Sequence, residues 1–314
     1  MIVNLFTLLI LSRLSFRLFF RPHRESDPAL RRAMLRESFP LMINHLLATL
    51  FFKIDVPLLQ SLQGSTVVGL YSAAYKWVDA LNIIPAYSTI ALFPVMSRQA
   101  GEDKAALLRS YTIGIKLLVA LALPLAVVTT FLAPALMWIL GGDEYLPHSA
   151  IALQIMIWSI PFGWINSITN YVLIALGQQS KLTRAFVIGL AFNVVANLIL
   201  IPRFSYVAAA AITILSELVE GLPFYYYVEQ SLGPVRWLRM LWKLFASAAA
   251  MFAATAALWP VHALLALGAG IVVYAVGVWV LGAFGAEEQA VFAKLTRKGE
   301  SANQRAGETA MPSP

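Results

Sequence analysis

Apolar stretches of roughly 20 to 30 residues, each long enough to cross a bilayer as a helix, alternate along this chain with short polar breaks. Lys and Arg gather in every second break. Nothing in water sorts basic loops by parity. In a membrane, loops rich in Lys and Arg stay on the cytoplasmic side, so the alternation constrains both solvent and orientation. Composition agrees. The 314 residues are 60% hydrophobic and 12% charged, whereas ordinary soluble domains are about 25% charged. Mean hydropathy is +0.74. The fold class that follows is an all-α polytopic membrane protein.

Nine helices are predicted, over 1–20, 39–60, 67–97, 111–140, 149–176, 183–201, 205–229, 240–259 and 262–283. The first is the weakest, because Arg13 and Arg17 occupy its second half; an interfacial helix is its alternative reading. Basic residues cluster around Arg31 and Arg32, Arg98 to Arg109, Lys181 and Arg184, Arg236 to Lys243, and in the tail from Lys294. The intervening breaks hold Arg203 with the acidic Asp143 and Glu144. The basic set therefore predicts a multi-pass protein of the plasma (inner) membrane with a cytoplasmic C-terminus. Met1 to Ile10 lacks the basic n-region of a signal peptide. Nine spans then put the N-terminus outside, which leads to the expectation that an upstream part is missing.

The net charge of +7 lies mostly in these breaks, without a basic patch interleaved with aromatics, so nucleic acid is not an expected partner. Membrane lipids are. Cysteine is absent, which excludes a disulfide framework, a thiol nucleophile and a thiolate metal site. No metal site and no cofactor is read from the sequence.

Charged residues at membrane depth cost about 2.5–3.5 kcal/mol each and normally face a bundle interior or a wet cavity. Lys53 and Asp55 lie 11 and 9 residues before Gly64, and Lys76 and Asp79 lie 12 and 15 after it. If the break at Gly64 joins an antiparallel hairpin, the two sets share a depth. Asp55 can then meet Lys76, or Lys53 meet Asp79, and Lys76 can also reach Asp79 along its own helix. These four residues are candidates for a charged cavity wall that takes an anionic substrate. The alternative is a set of ion pairs that holds the bundle together. Glu217 and Glu220 share a face of the seventh helix, and two carboxylates so close in low dielectric resist ionising together. They are candidates for proton or cation coupling; pairing with a lysine from another helix, or an open vestibule, is the plainer reading.

Asn166 with Asn170, and Asn193 with Asn197, share helix faces and are spaced to hydrogen-bond between helices, with contact to a sugar as the alternative. His45 reads as a packing residue, and Lys116, near a helix end, as a snorkelling side chain. Pro57, Pro85, Pro94, Pro124, Pro134, Pro161 and Pro223 should kink their helices. The chain has no Gly-Lys-Ser/Thr phosphate loop, no His-Glu-x-x-His and no Gly-x-Ser-x-Gly. The outer breaks are short, which disfavours a membrane sugar polymerase or ligase; the expectation is a non-enzyme.

Several segments resemble the polysaccharide (oligosaccharide) flippase family, within the superfamily that also holds multidrug exporters and lipid II flippases. They are Phe-Phe-Lys-Ile-Asp-Val-Pro-Leu-Leu at Phe51–Leu59, Val-Gly-Leu-Tyr-Ser-Ala-Ala-Tyr at Val68–Tyr75, and Phe93-Pro94 followed by Ser97. Asn193–Pro202 and the small-residue run Ala208–Glu217 follow in the family's order, so the resemblance covers roughly 38–230. It implies a division into 1–20 as the last helix of a missing N-terminal bundle, 21–38 as a cytoplasmic basic linker, and 39–231 as a C-terminal six-helix bundle. Residues 232–283 would be two terminal helices and 284–314 a disordered cytoplasmic tail. It also implies transport of a polyprenyl-pyrophosphate-linked oligosaccharide for surface polysaccharide, such as the O-antigen of lipopolysaccharide, by alternating access. A separate N-terminal half would be a partner. Lys53 stands where many relatives carry Arg. A cation-coupled multidrug-type exporter on the same fold is the competing reading.

Overall fold

The computed structural model describes residues 2–18 and 27–285. The predicted tail falls almost wholly outside these, as does most of the first half of the predicted linker. Eleven α-helices and no strand occur among the described residues: α1 (Ile2–Leu18), α2 (Pro28–Lys53), α3 (Asp55–Gln63), α4 (Ser65–Leu81), α5 (Ile83–Glu102), α6 (Lys104–Gly141), α7 (His148–Met156), α8 (Ile160–Ala175), α9 (Gln179–Leu232), α10 (Trp237–Leu258) and α11 (Ala263–Val280). The chain divides into two compact units, 1–43 and 44–314.

In the first unit α1 covers 17 described residues. Its apolar side chains from Leu5 to Leu18 are largely exposed. The segment read as a linker is helical from Pro28 onward. Asp27 Oδ1 accepts the amides of Ala29 and Leu30 at 2.8 and 3.2 Å, which caps α2 and lets the Arg-rich sequence enter the helix. Arginine is a good helix former, so basic charge alone does not make a loop.

Among the described residues, six helical stretches, all in the second unit, are long and apolar enough to cross a membrane, and they number seven if the bent pair α2–α3 is one span. The longest of them, α9, is a hairpin. Straight, its 54 residues would reach about 80 Å, far beyond a ~30 Å hydrocarbon core. Ser205 has φ 54° and ψ −139°, where the chain reverses. The arms then run side by side. Gln178 bonds Ser231 at 2.8 Å, Phe186 meets Phe224 edge-on at 6.0 Å, and the Cα of Gly189 faces the Cβ of Glu220. With its arms counted separately, each span predicted from 39 to 283 lies on a helix or a bent helix pair.

α6 is the central post. Tyr111 Oη lies 2.8 Å from Thr169 Oγ1 of α8, Gln154 of α7 donates to the Thr130 carbonyl at 3.1 Å, and Tyr274 of α11 donates to the Ala120 carbonyl at 2.8 Å. α10 and α11 approach closely because Gly270 and Gly277 face Thr255 and Ser247. α10 and α11 thus pack onto α6 within the second unit.

The breaks sort by end. Asn44 donates to the Gln179 carbonyl, Lys181 to Gln230, and Lys243 to the Gly282 carbonyl. At the opposite end Gln63 donates to the Ile201 carbonyl, and His148 meets Tyr206 at 2.8 Å. The basic breaks at Lys181 and Arg236 therefore share one end, and the break holding Arg203 lies at the other.

Three prolines break their helices. Pro57, Pro85 and Pro161 lack the amides that would bond the carbonyls of Lys53, Leu81 and Ile157. The chain departs from regular helix at Ile54, at Asn82 and at Ile157–Ser159. α2 and α3 are bent by 40°. Pro94, Pro124, Pro134 and Pro223 lie inside continuous helices, so proline alone does not dictate a break.

Candidate functional site

The three breaks converge on a cavity of about 380 Å³, with Lys53, Asn82, Pro85, Ser159 and Ile160 in its lining. Breaking a helix frees carbonyls and re-aims side chains, and membrane proteins tolerate this where the backbone borders a cavity. Lys53, Asp79 and Glu217 are the charged groups in the lining.

Lys53 Nζ donates to Asp79 Oδ2 and Oδ1 at 2.8 and 3.1 Å, and sits 4.1 Å over the Tyr75 ring. Of the two cross-hairpin pairings open to the sequence, the structure forms this one. The pair is half open, at 48% and 51% exposure, so it can be parted without unfolding the bundle. Asp55 does not meet Lys76. It is buried, accepts the Val56 amide at 2.9 Å, and accepts a hydrogen bond from the Tyr71 hydroxyl, which also lies 3.3 Å from Thr213 Oγ1. Lys76 is exposed on α4, outside the cavity lining. The roughly 100° step between Tyr75 and Lys76 along the helix decides this, because Tyr75 is buried and Lys76 exposed.

Glu217 is buried at the meeting of α8 and α9. Asn166 Nδ2 donates to its backbone carbonyl and to Oε2, both at 2.8 Å. Gly163 leaves room for the carboxylate: a Cβ there would stand 3.0 Å from Oε1. Glu217 also borders two other spaces. One is an aromatic cavity of about 330 Å³ that includes Phe162, Phe224 and Trp237. The other is a void of about 10 Å³, near the size of one water, lined by Asp55, Asn193, Thr213 and Ser216. Glu220 is buried with Oε1 unpartnered, against the first arm of α9. Glu217 and Glu220 share a helix face but open toward different neighbours.

The asparagines divide. Asn166 bonds across helices to Glu217. Asn197 bonds back along its own helix, to Asn193 Oδ1 and carbonyl at 2.8 and 2.9 Å. Asn170 is half-buried with no hydrogen bond among the described residues. Residues missed from sequence are Tyr71, Tyr75, Asn82 and Ser216. Tyr71 and Tyr75 carry a readable signal, being one turn apart beside the lysine helix, whereas Asn82 and Ser216 gain their places only from tertiary packing. No group of three or more metal-ligating side chains gathers among the described residues.

Residues 1–100 match the family model of polysaccharide biosynthesis proteins. The chain is 28% identical over 173 residues to an uncharacterized membrane protein of Methanocaldococcus jannaschii, covering 48% of this chain and 33% of that one. Among solved structures it is similar to a MATE crystal structure in the straight conformation, with TM-score 0.52 and 19% identity over 79% of this chain and 65% of the other. It is also similar to a MOP superfamily transporter from Pyrococcus furiosus, with TM-score 0.50 and 20% identity over 78% and 63%. The chain thus spans a third of the curated relative's length and under two thirds of either solved transporter. The resemblance read from Phe51 to Ser97 falls inside the matched region. The chain is similar in residues 1–100 to polysaccharide biosynthesis proteins and shares the fold of MATE and MOP superfamily transporters.

Proposed function

We propose that this membrane chain serves export of a lipid-linked oligosaccharide by alternating access, in surface polysaccharide assembly, without catalysing bond chemistry. The observation that carries the reading is the Lys53–Asp79 pair at the convergence of three broken helices, combined with the match to polysaccharide biosynthesis proteins. A pyrophosphate or acidic sugar competes with Asp79 for the Lys53 ammonium, and the half-exposed pair opens in response. Asp55 and Glu217, which both line the small void, and the buried Glu220 are the groups proposed to couple transport to a proton or sodium gradient. Parity of the basic breaks supports the inner membrane with the basic end, and so the C-terminus, cytoplasmic.

The test is complementation of glycan export by Lys53→Ala, with membrane insertion followed separately. Loss of export with normal insertion is expected; full export would remove Lys53 from the mechanism. A second reading has its own observation. With Lys53 neutralised by Asp79, the cavity's remaining charge is Glu217, which suits a cation-type exporter. Binding of an organic cation that competes with neither pyrophosphate nor acidic glycan would select that reading.

A further inference from the structure

A second charged space lies away from the cavity, between α6 and α10. It is a cleft of about 310 Å³ at the basic end of the bundle. Lys116 and Thr112 come from α6, and Arg236 and Arg239 from the start of α10. Leu108 and Met240 supply part of an apolar wall. No carboxylate lines it. Arg236 and Arg239 form no ion pair among the described residues, unlike Lys53, which is held by Asp79, and Lys243, whose Nζ is bound to the Gly282 carbonyl at 2.9 Å.

We propose that this cleft binds the phosphate group of an anionic membrane phospholipid. Topology alone needs basic residues somewhere in a break; it does not need cations from helices about 120 residues apart to converge on one recess. α10 adds to the attraction. Its N-cap is Arg236 and no side chain caps it, so the positive end of the helix dipole lies beside Arg236. Basic pockets between transmembrane helices at the membrane surface are suited to lipid head groups. The exposed Trp242 and Tyr225 nearby fit the interfacial level where such groups lie. The apolar wall favours a phosphate that carries acyl chains over a free anion.

The chain in detergent is titrated with phosphatidylglycerol, phosphatidylcholine and inorganic phosphate, with retained lipid counted by native mass spectrometry. Phosphatidylglycerol is expected to bind, phosphatidylcholine and phosphate not. Arg236→Gln with Arg239→Gln should weaken binding about thirtyfold, because each surface cation contributes on the order of 1 kcal/mol. Arg31→Gln with Arg32→Gln, which removes equal charge elsewhere, should leave it unchanged. Equal loss in both double variants, or equal protection by inorganic phosphate, overturns the proposal. A phosphatidylglycerol with a photoreactive head group, applied to the unaltered chain, gives a readout that needs no variant. Labelling should fall within 108–116 and 234–240, and labelling confined to other segments overturns the site.

Discussion

Glu217 offers the sharpest separation of folding from transport. Its side chain takes one hydrogen bond from Asn166, while its backbone carbonyl takes a second from the same amide. Glu217→Gln keeps the size and an acceptor oxygen for Asn166, so both bonds survive. Glu217→Ala removes the side-chain bond and leaves the backbone one. Hydrogen bonds between membrane helices are worth about 0.6 kcal/mol on average and up to ~1.7. The lost methylenes beside the aromatic cavity add to this, so the Ala variant should be about 1–2 kcal/mol less stable. The Gln variant should lie within about 0.5 kcal/mol of the parent. The assay pairs thermal melting in detergent with transport in proteoliposomes at several pH values. Expected are a parent-like melting midpoint for the Gln variant, a lower one for Ala, and loss of the pH dependence of transport in both. A Gln variant that melts as low as Ala would show that the ionised carboxylate itself holds α8 to α9. Unaltered pH dependence in the Gln variant would remove Glu217 from coupling.

Exchanging the partners, Lys53→Asp with Asp79→Lys, should restore much of the stability lost by either single change. That stability is small, under about 1 kcal/mol for a half-exposed pair, and export should stay impaired because the cation has moved; restored export would mean that only the pair matters. Lys76→Ala, outside the cavity, should export normally, and a defect as large as that of Lys53→Ala would show that α4 turns inward during the cycle. Gly189→Ala puts a Cβ 2.9 Å from the buried Phe51 ring and 3.2 Å from Glu220 Cβ, so the arms of α9 must part, at about 1–3 kcal/mol. A melting midpoint equal to or above the parent's would show that Phe51 yields freely. Pro85→Ala restores an amide for the Leu81 carbonyl and should straighten the break at Asn82; unimpaired transport would count against a role for that break.

The spans were legible because a bilayer enforces one rule on every apolar helix, and that rule is local. Length and hydropathy marked the segments from 39 to 283, and offsets of 11 and 15 residues from Gly64 put Lys53 and Asp79 at similar depths. Residues 28–38, which the resemblance places in a linker, are helical, because Asp27 caps a helix there. Charge reports where a segment lies relative to the membrane, and backbone caps decide whether it is helical.

Tertiary structure decided the pairings. Sequence left Lys53 and Lys76 equivalent, but helix rotation turned Lys53 into the cavity and Lys76 out of it. It also left seven prolines equivalent, whereas three break their helices around one space and the other four stay inside continuous helix. Glu217 joins Asn166 through the packing of α8 on α9, across 51 residues. The lipid cleft joins α6 to α10 across more than a hundred. Helix periodicity sets which residues share a face, but which faces meet depends on how all the helices pack at once. The sequence therefore determined a membrane bundle with charge in its interior, and only the folded chain determined which charges meet.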